Sequence, residues 1–481
     1  MVDVTIKRVN SVYNEIICDR GISMELADEF TFMVPGHKFM PKFKAGLWDG
    51  KIRLMDLRNN QIYSGLSKKI AKFCKARDYI IDLDSSLGYA EFSIIEAKEF
   101  IKSLNLPFEV RDYQLKTFVQ CVRQNRGLVL SPTASGKSLI IYLLHRYYNF
   151  PVNPTLLIVP TTSLVHQMEG DFKQYGCMDH IHKIYSGQDK DMLCDIAVST
   201  WQSIYKFPKE WFDAWGTIIV DEAHHAQAKS ITTIMERAMN VEHRFGFTGT
   251  LSDSQCHEMV LEGLFGPIIS LVTTSELIEQ KHLSPLRVKC IVLKYSDTQR
   301  KEASKLDYAQ EMDWLFKHRR RNTFIKNLAL SLKGNTLVLF RYISHGQELH
   351  KDLLDKSNDN VYYVAGSVEG EAREEIRKII DTHENSITVA SAGVFSTGIN
   401  IVHLDNIIFA APSKSRIRVL QSIGRGLRKA DSKEHCTFFD VSDDLTHRKR
   451  MNFSLRHFQE RVQLYNKELF DYKIYQVNLK E

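Results

Sequence analysis

The stretch Ser131-Pro-Thr-Ala-Ser-Gly-Lys-Ser138 combines small residues, a glycine, a lysine and a hydroxyl in an order suited to gripping phosphate. The apolar run Gly127–Leu130 precedes it and Leu139–Leu144 follows, so the pattern predicts strand, loop and helix. Such a loop turns backbone N–H groups toward an anion at a helix N-terminus. Pro132, Thr133, Ala134, Ser135 and Gly136 are then the cradle, Lys137 reaches the β- and γ-phosphates, and the Ser138 hydroxyl ligates Mg²⁺. The first glycine of the strict pattern is Ser131 here. The plain alternative is a chance Gly-Lys-Ser at a helix start, and the rest of the chain decides between them.

A phosphate loop that does chemistry needs a metal carboxylate and a base. Thr217–Val220, four apolar-patterned residues, run into Asp221-Glu-Ala-His224, 84 residues beyond Lys137. Asp221 is placed to hold Mg²⁺ through water, and Glu222 to orient and deprotonate the attacking water. His224 has only His225 near it in sequence, which argues against a zinc ligand. A hydrogen-bonded coupling of His224 to Thr248-Gly-Thr250 is the better expectation. Ahead of the loop, Arg111-Asp-Tyr-Gln114 opens a helix. A Gln amide satisfies adenine N6 and N7 together, so Gln114, with Arg111 to stack, would select ATP; the same four residues also read as an ordinary helix start. The C-terminal half has no second Gly-Lys-Ser. It offers Gln421-Ser-Ile-Gly-Arg-Gly-Leu-Arg428, with Arg425 and Arg428 on one helix face. Permanently charged guanidinium forks suit the charge that builds on a transferring phosphoryl group, and Gln421 would sense the γ-phosphate or its water. The two halves of an ATP site are thus expected in one chain, so a monomer suffices as the motor unit.

These residues need a scaffold. Strand and helix patterns alternate: Thr155–Val159, Ile196–Val198, Thr217–Val220 and Arg244–Phe247, then Thr336–Phe340, Val361–Val364, Ser386–Ala390, Asn406–Phe409 and Thr437–Phe439. Alternation of this kind implies parallel sheets covered by helices, with polar clusters outside the carboxyl ends of the strands. The fold class expected is α/β: two tandem RecA-like motor domains over 104–283 and 284–445, with a small α+β domain at 1–103 and a helical tail at 446–481. Leu283–Leu286 is a candidate hinge, since Pro285 disfavours helix before it.

Residues 34–77 carry eight lysines and three arginines against two aspartates, a local charge of +9 within a chain of net charge +6. Gly46–Gly50 reads as a tight turn between short strands, and Ser67–Arg77 as a helix with Lys68, Lys69, Lys72 and Lys75 off its apolar face. Interleaved aromatics, among them Phe39, Phe43 and Trp48, make this a candidate nucleic-acid surface; a solvated helix face is the alternative. Residues 78–100 turn acidic and resemble a linker. The basic knot Lys317–Arg321 is either a helix end or a backbone contact, and the tail beyond Arg448 either packs on the motor or adds contacts. Eight scattered cysteines suggest no disulfide framework. No apolar run approaches bilayer length, so a cytoplasmic protein without a membrane partner is expected.

The loop, Pro160-Thr-Thr, DEAH and Thr248-Gly-Thr in this order resemble the first motor domain of superfamily-two helicases. The likeness extends to FKAGLWDGKIRL, KKIAKFC, SPTASGKSLI, PKEWF, VFSTGI and QSIGRGLR, which resemble the UvsW-type recombination helicases of T-even-like bacteriophages. That resemblance implies that Ser131 is tolerated, and that Pro160, Thr161, Thr200, Gln202 and Thr397 track one strand; Arg341, Ser344 and His345, at the end of another strand, are weaker strand-contact candidates. It also implies that Gly398 and Asn400 serve the nucleotide. It implies an ATP-dependent DNA helicase on forks, Holliday junctions, D-loops and R-loops, moving 3′ to 5′, alongside recombination and replication proteins. The alternatives are a helicase of RNA or RNA–DNA hybrids, and an ATP-gated annealing factor that does not unwind. The motor of a restriction enzyme is disfavoured, because the first hundred residues carry no nuclease-like carboxylate–lysine cluster.

Overall fold

A computed structural model describes residues 2–149, 153–185, 194–224, 229–251, 254–356, 360–365, 382–383, 385–393, 403–411, 415–427 and 435–479. The chain divides into Met1–Ser131 with Gly136–Leu271, and Val272–Glu481 with the four loop residues Pro132–Ser135. The division falls a dozen residues ahead of Leu283–Leu286. Leu283 and Ser284 are themselves buried, so that stretch is packed rather than hinge-like.

In the first unit, β1 (Val4–Arg8), β2 (Tyr13–Cys18), β5 (Met55–Asp56), β6 (Gln61–Tyr63) and β7 (Ile81–Leu83) form a sheet in the order β5-β6-β2-β1-β7. Alternation decides its faces: Val4 and Ile6 point in, Thr5 and Lys7 less so. β3 (Thr31–Met33) and β4 (Lys51–Arg53) pair antiparallel. Their connection is not the expected tight turn. Pro41 starts a helical turn, Pro41–Lys44, and Asp49 accepts the Lys51 N–H at 3.1 Å and pairs with Arg53, so Asp49-Gly50 does not close a two-residue hairpin. The helix Ser67–Lys75 buries Ile70, Phe73 and Cys74. The acidic stretch is not a linker either. It supplies β7 and the helix Ile94–Ser103, capped reciprocally by Ser93 and Glu96. Phe100 stacks on Phe118 at 5.7 Å within the core of the following layer.

That layer is a parallel sheet of β8 (Arg126–Leu130), β9 (Thr155–Val159), β10 (Ile181–Ile184), β11 (Ile196–Thr200), β12 (Thr217–Val220), β13 (His243–Thr248) and β14 (Ile268–Ile269), ordered β10-β11-β9-β12-β13-β8-β14. Apolar clusters cover both faces, which is why β9, β11 and β12 are buried at every position. The N-terminal layer docks on it closely. A Cβ at Gly65 would sit 2.0 Å from the Glu262 carbonyl oxygen and 2.6 Å from that of Gly263. Around this point Tyr63 donates to Glu236 at 2.6 Å, Lys69 pairs with buried Glu262 at 3.1 Å, and the Ser11 N–H donates to the Met239 carbonyl.

In the second unit, β15 (Leu286–Lys294), β16 (Thr336–Phe340), β17 (Asn360–Val364), β18 (Ser386–Ser391), β19 (Asn406–Phe409), β20 (Cys436–Asp444) and β21 (Tyr472–Asn478) form a parallel sheet ordered β17-β18-β16-β19-β20-β15-β21. The tail is more than a helix. Phe453–Lys467 is helical as expected, and the chain then returns as β21 beside β15. Buried ion pairs tie it down: Arg461 forks onto Asp440 at 2.7 and 2.8 Å, and Glu311 accepts from Asn452, Phe453 and Ser454. The basic knot divides likewise, for Arg321 is fully buried and pairs with Asp443 at 2.9 Å.

Because backbone rather than a movable side chain faces Gly65, Gly65→Ala is expected to destabilise the first unit by about 2 kcal/mol. Urea denaturation of the variant against the parent measures this, and equal midpoints would contradict the docking geometry.

Candidate active site

The phosphate loop leaves β8 at Leu130. The Ser131 N–H donates to the Thr248 carbonyl at 2.9 Å, and Ser131 is not among the residues at positive φ, so no glycine is required there. The departure from the strict pattern therefore has a local reason. Ala134 at φ 66° and Gly136 at φ 80° make the turn, and Gly136 caps the helix Lys137–Tyr148. Ser135 folds back on Pro132, its Oγ donating to the Pro132 carbonyl at 2.6 Å. A Cβ at Gly136 would lie 2.4 Å from Gln114 Nε2, so the Gln114 amide abuts the loop. Its other end accepts the Arg111 N–H at 3.0 Å in a capping box. Gln114 thus serves an ordinary helix start and also lies against the loop.

β12 ends beside β13, the neighbour of β8, and delivers the carboxylates. Lys137 Nζ lies 3.4 Å from Glu222 Oε1, and Glu222 adopts φ 50°, which turns it back toward the loop. Asp221 is buried and its Oδ1 has no hydrogen-bond partner. Burial first, and the Glu222 charge second, push its carboxyl up to about 6. His224 Nδ1 is 3.3 Å from Glu222 Oε2 and 2.9 Å from Thr248 Oγ1, while Thr248 Oγ1 donates to the Thr250 carbonyl at 2.7 Å. Since the Thr248 proton goes to Thr250, His224 Nδ1 carries the proton in its bond to Thr248. An orphaned buried carboxylate oxygen and the Ser138 hydroxyl are a donor set that fits Mg²⁺. Ser138 Oγ meets Tyr175 Oη at 2.7 Å, and burial raises the Tyr175 phenol to about 12. No motif announces Tyr175; it closes the helix Thr162–Gln174, and only the packing of that helix on Lys137–Tyr148 brings it to Ser138.

The strand-contact candidates occupy the other part of this carboxyl edge. Pro160 and Thr161 follow β9, Thr200 ends β11, and Gln202 Nε2 donates to the Pro160 carbonyl at 3.4 Å. Thr161 caps its helix through Leu164 N–H, and Thr200 Oγ1 lies 2.9 Å from Ser203 Oγ. In the second unit Arg341 donates to Tyr308 Oη at 2.7 Å, and Gln421 is buried on the helix Arg416–Gly426. His345, a weaker candidate beside Arg341, is a core residue next to Asn322, its pKa pushed down to about 3 by burial. Arg425 lies on the same helix as Gln421, its side chain outside the described residues, as are Thr397, Gly398, Asn400 and Arg428. Of the N-terminal lysines, Lys68, Lys72 and Lys75 are exposed, whereas Lys69 is engaged by Glu262.

Three family models match: "DNA helicase UvsW, N-terminal" at residues 3–84, "Type III restriction enzyme, res subunit" at 101–253, and "Helicase conserved C-terminal domain" at 320–430. The ATP-dependent DNA helicase uvsW of Enterobacteria phage T4 is 37% identical across 96% of this chain and 97% of its own. The chain belongs to the UvsW helicase family. The crystal structure of T4 UvsW, 34% identical, covers 100% of both chains with a TM-score of 0.53. The putative ATP-dependent helicase IRC3 of Saccharomyces cerevisiae is 27% identical over 73% of this chain and 54% of its own length. A DNA-bound Type ISP restriction-modification enzyme, LlaBIII, is alike in fold alone, at 14% identity and a TM-score of 0.57 over 85% of this chain and 34% of that one. As a UvsW-family member the chain is an ATP-hydrolysing, nucleic-acid-binding helicase. Among the described residues of this UvsW-family helicase, no helix is long and apolar enough to cross a membrane. Cys18, Cys74, Cys121, Cys177, Cys256 and Cys290 are free thiols. Cys177 does meet His145 and Asp179, but both His145 nitrogens are within hydrogen-bond distance of Thr155 or Asp179, and Arg146 adds positive charge.

A carboxyl raised by burial favours its protonated form in the fold. Ionised Asp221 therefore costs the apo protein stability, a cost that grows as pH rises from about 4 to about 6 and then stays constant. Asp221→Asn should stabilise the metal-free protein by about 2 kcal/mol at pH 7.5, with the gain shrinking toward pH 5. Denaturant midpoints at the two pH values, without nucleotide or Mg²⁺, test this; a destabilised variant at pH 7.5 would refute it.

Proposed function

We propose that this UvsW-family enzyme is an ATP-dependent DNA helicase and translocase of branched DNA, acting 3′ to 5′ on forks, Holliday junctions, D-loops and R-loops in recombination, replication and repair. The observation that carries the reading is the Lys137–Glu222–Asp221 cluster at the loop of a chain whose N-terminal 82 matched residues belong to a UvsW-specific model. That model distinguishes it from the restriction-type motor match alone.

In this proposal the loop N–H groups from Thr133 to Gly136 and the Lys137 ammonium hold the phosphates of ATP, with Gln114 and Arg111 on the adenine side. Mg²⁺, when bound, neutralises phosphate charge and is held by Ser138 and Asp221. An anionic phosphate competes for Lys137 and releases Glu222, which then orients the attacking water and takes its proton. His224, bonded to Thr248, passes the state of Glu222 toward Thr250. Gln421, Arg425 and Arg428 serve turnover rather than ATP binding, on the strength of their spacing. Pro160, Thr161, Thr200, Gln202, Arg341 and Thr397 hold the strand, and Lys68, Lys72 and Lys75 add backbone contacts. One chain carries every named part, so the motor unit is a monomer.

The deciding experiment compares ATPase stimulation and strand displacement on forked DNA, junctions, duplex DNA, RNA–DNA hybrids and RNA. Forks and junctions are expected to stimulate most; stimulation by RNA alone would overturn the DNA reading, and nucleotide-sensitive binding without displacement would make it an annealing factor. Lys137→Ala should abolish hydrolysis while nucleic acid still binds, and Arg425→Ala should keep ATP binding yet lower kcat by roughly 10³-fold. A near-normal kcat would remove Arg425 from the site.

A further inference from the structure

The seam between the N-terminal layer and the first parallel sheet encloses a cavity of about 190 Å³ lined by Arg8, Lys68, Arg126, Ser67, Tyr89 and Glu242, among others. Its charge is unbalanced. Arg126 donates to three carbonyls, those of Phe265, Ser11 and Leu264, and no carboxylate lies within ion-pair distance of it among the described residues. Behind it Arg244 is fully buried and likewise meets only carbonyls, those of Ser11, Ala238 and Met235. Arg8 pairs with Glu242 at 3.2 Å, and that glutamate is 64% exposed. Lys68 lies 4.6 Å from the ring centre of exposed Tyr89. Burial, with the Arg8 charge second, lowers the Arg126 guanidinium to about 10. Asp84 accepts the Arg8 N–H at 3.3 Å, so Arg8 has two carboxylates near it, whereas Arg126 and Arg244 meet carbonyls; guanidinium groups gathered around one carbonyl with so few carboxylates are costly unless an anion joins them.

We infer that this seam is a second phosphate-binding pocket, in which Arg8, Lys68 and Arg126 hold a phosphate group and the Tyr89 ring offers a face to an attached base. Arg126 retains two N–H donors beyond the three in use, and a planar fork suits phosphate oxygens. The pocket is separate from the loop that binds ATP. Arg126 begins β8 and Leu130 ends it, and four residue steps of about 3.3 Å put roughly 13 Å of strand between the two. The phosphate could belong to a nucleic-acid strand or to a free mononucleotide. A groove that shares Lys68, Tyr89 and Gln124 continues from the cavity, and Glu91 and Glu96 there balance Lys68 and Arg123, so the positive charge is confined to the cavity itself. The inference shares Lys68 with the helicase reading, and inorganic phosphate is the first probe so that the failure of one is distinguishable from the failure of the other.

The test uses the full chain carrying Lys137→Ala, which silences the ATP loop, and the same chain with Arg8→Gln and Lys68→Gln added. Inorganic phosphate, thymidine monophosphate and a thymidine oligonucleotide are titrated by calorimetry and by thermal shift in phosphate-free buffer. Phosphate is expected to raise the Tm of the Lys137→Ala chain and to bind about tenfold more weakly once the two charges are removed. Without any anion, the charge-depleted chain should melt no lower than its parent, because repulsion has been relieved; that separates a lost ligand from a lost fold. Competition between phosphate and the oligonucleotide assigns the pocket to a strand, and binding of the mononucleotide without such competition assigns it to a free nucleotide. Equal phosphate affinity with and without the two charges, or a charge-depleted chain that melts lower in the absence of anion, overturns the inference.

Discussion

The ammonium of Lys137 rests 3.4 Å from Glu222, next to a buried Asp221 whose Oδ1 has no partner among the described residues. Two carboxylates and one cation in a largely buried site are an unsettled arrangement. In the function proposed above, phosphates would compete for the lysine and Mg²⁺ would neutralise the aspartate. Everything else in the first unit serves to place these three groups. Parallel strands put every carboxyl end on one edge, buried faces keep the strands from shifting, and left-handed turns at Gly136 and Glu222 bring Lys137 and the glutamate together. His224 and Thr248 extend the cluster by hydrogen bonds as far as Thr250.

The same edge separates two tasks. Strand order puts β12, β13 and β8 together, and β11 and β9 beside them, so the nucleotide residues and the strand-contact candidates occupy adjoining stretches of one rim. Neither group needs a mobile loop to meet the other. The N-terminal layer is joined to this sheet as one unit, through a glycine that admits backbone to within contact distance and through Tyr63, Lys69 and Ser11. A basic surface on that layer is therefore part of the same compact unit as Lys137 and Glu222.

The second unit is held by a different device. Arg461 with Asp440, and Arg321 with Asp443, are buried pairs with further hydrogen bonds from Tyr465 and Tyr295. Buried pairs of this kind add little net stability over apolar packing, but each is intolerant of losing one partner. They specify where the tail lies. Once the helix Phe453–Lys467 is registered by Arg461, the chain is delivered to the open side of β15 and completes the sheet as β21.

Much of this was legible in the sequence because it is local. Strand runs such as Thr155–Val159, Thr217–Val220 and Asn406–Phe409 are apolar segments bounded by polar ends, and a buried parallel strand has no other pattern available to it. The positions of the loop and of the Asp221–Glu222 pair were readable for the same reason: the loop follows β8 and the pair follows β12. What depended on residues far apart in sequence was not readable. Tyr175 reaches Ser138 only through helix packing, Lys69 is drawn to Glu262 only because Gly65 lets two layers touch, and Arg321 is a core residue among surface arginines only because Asp443 waits beneath it. The sequence determined which segments are strands and which candidate site residues stand at their ends, since hydrophobic period and turn chemistry act over a few residues. Tertiary structure alone decided which charges are neutralised and which are left facing a cavity, because Coulomb partners are chosen by distance in space and not by order along the chain.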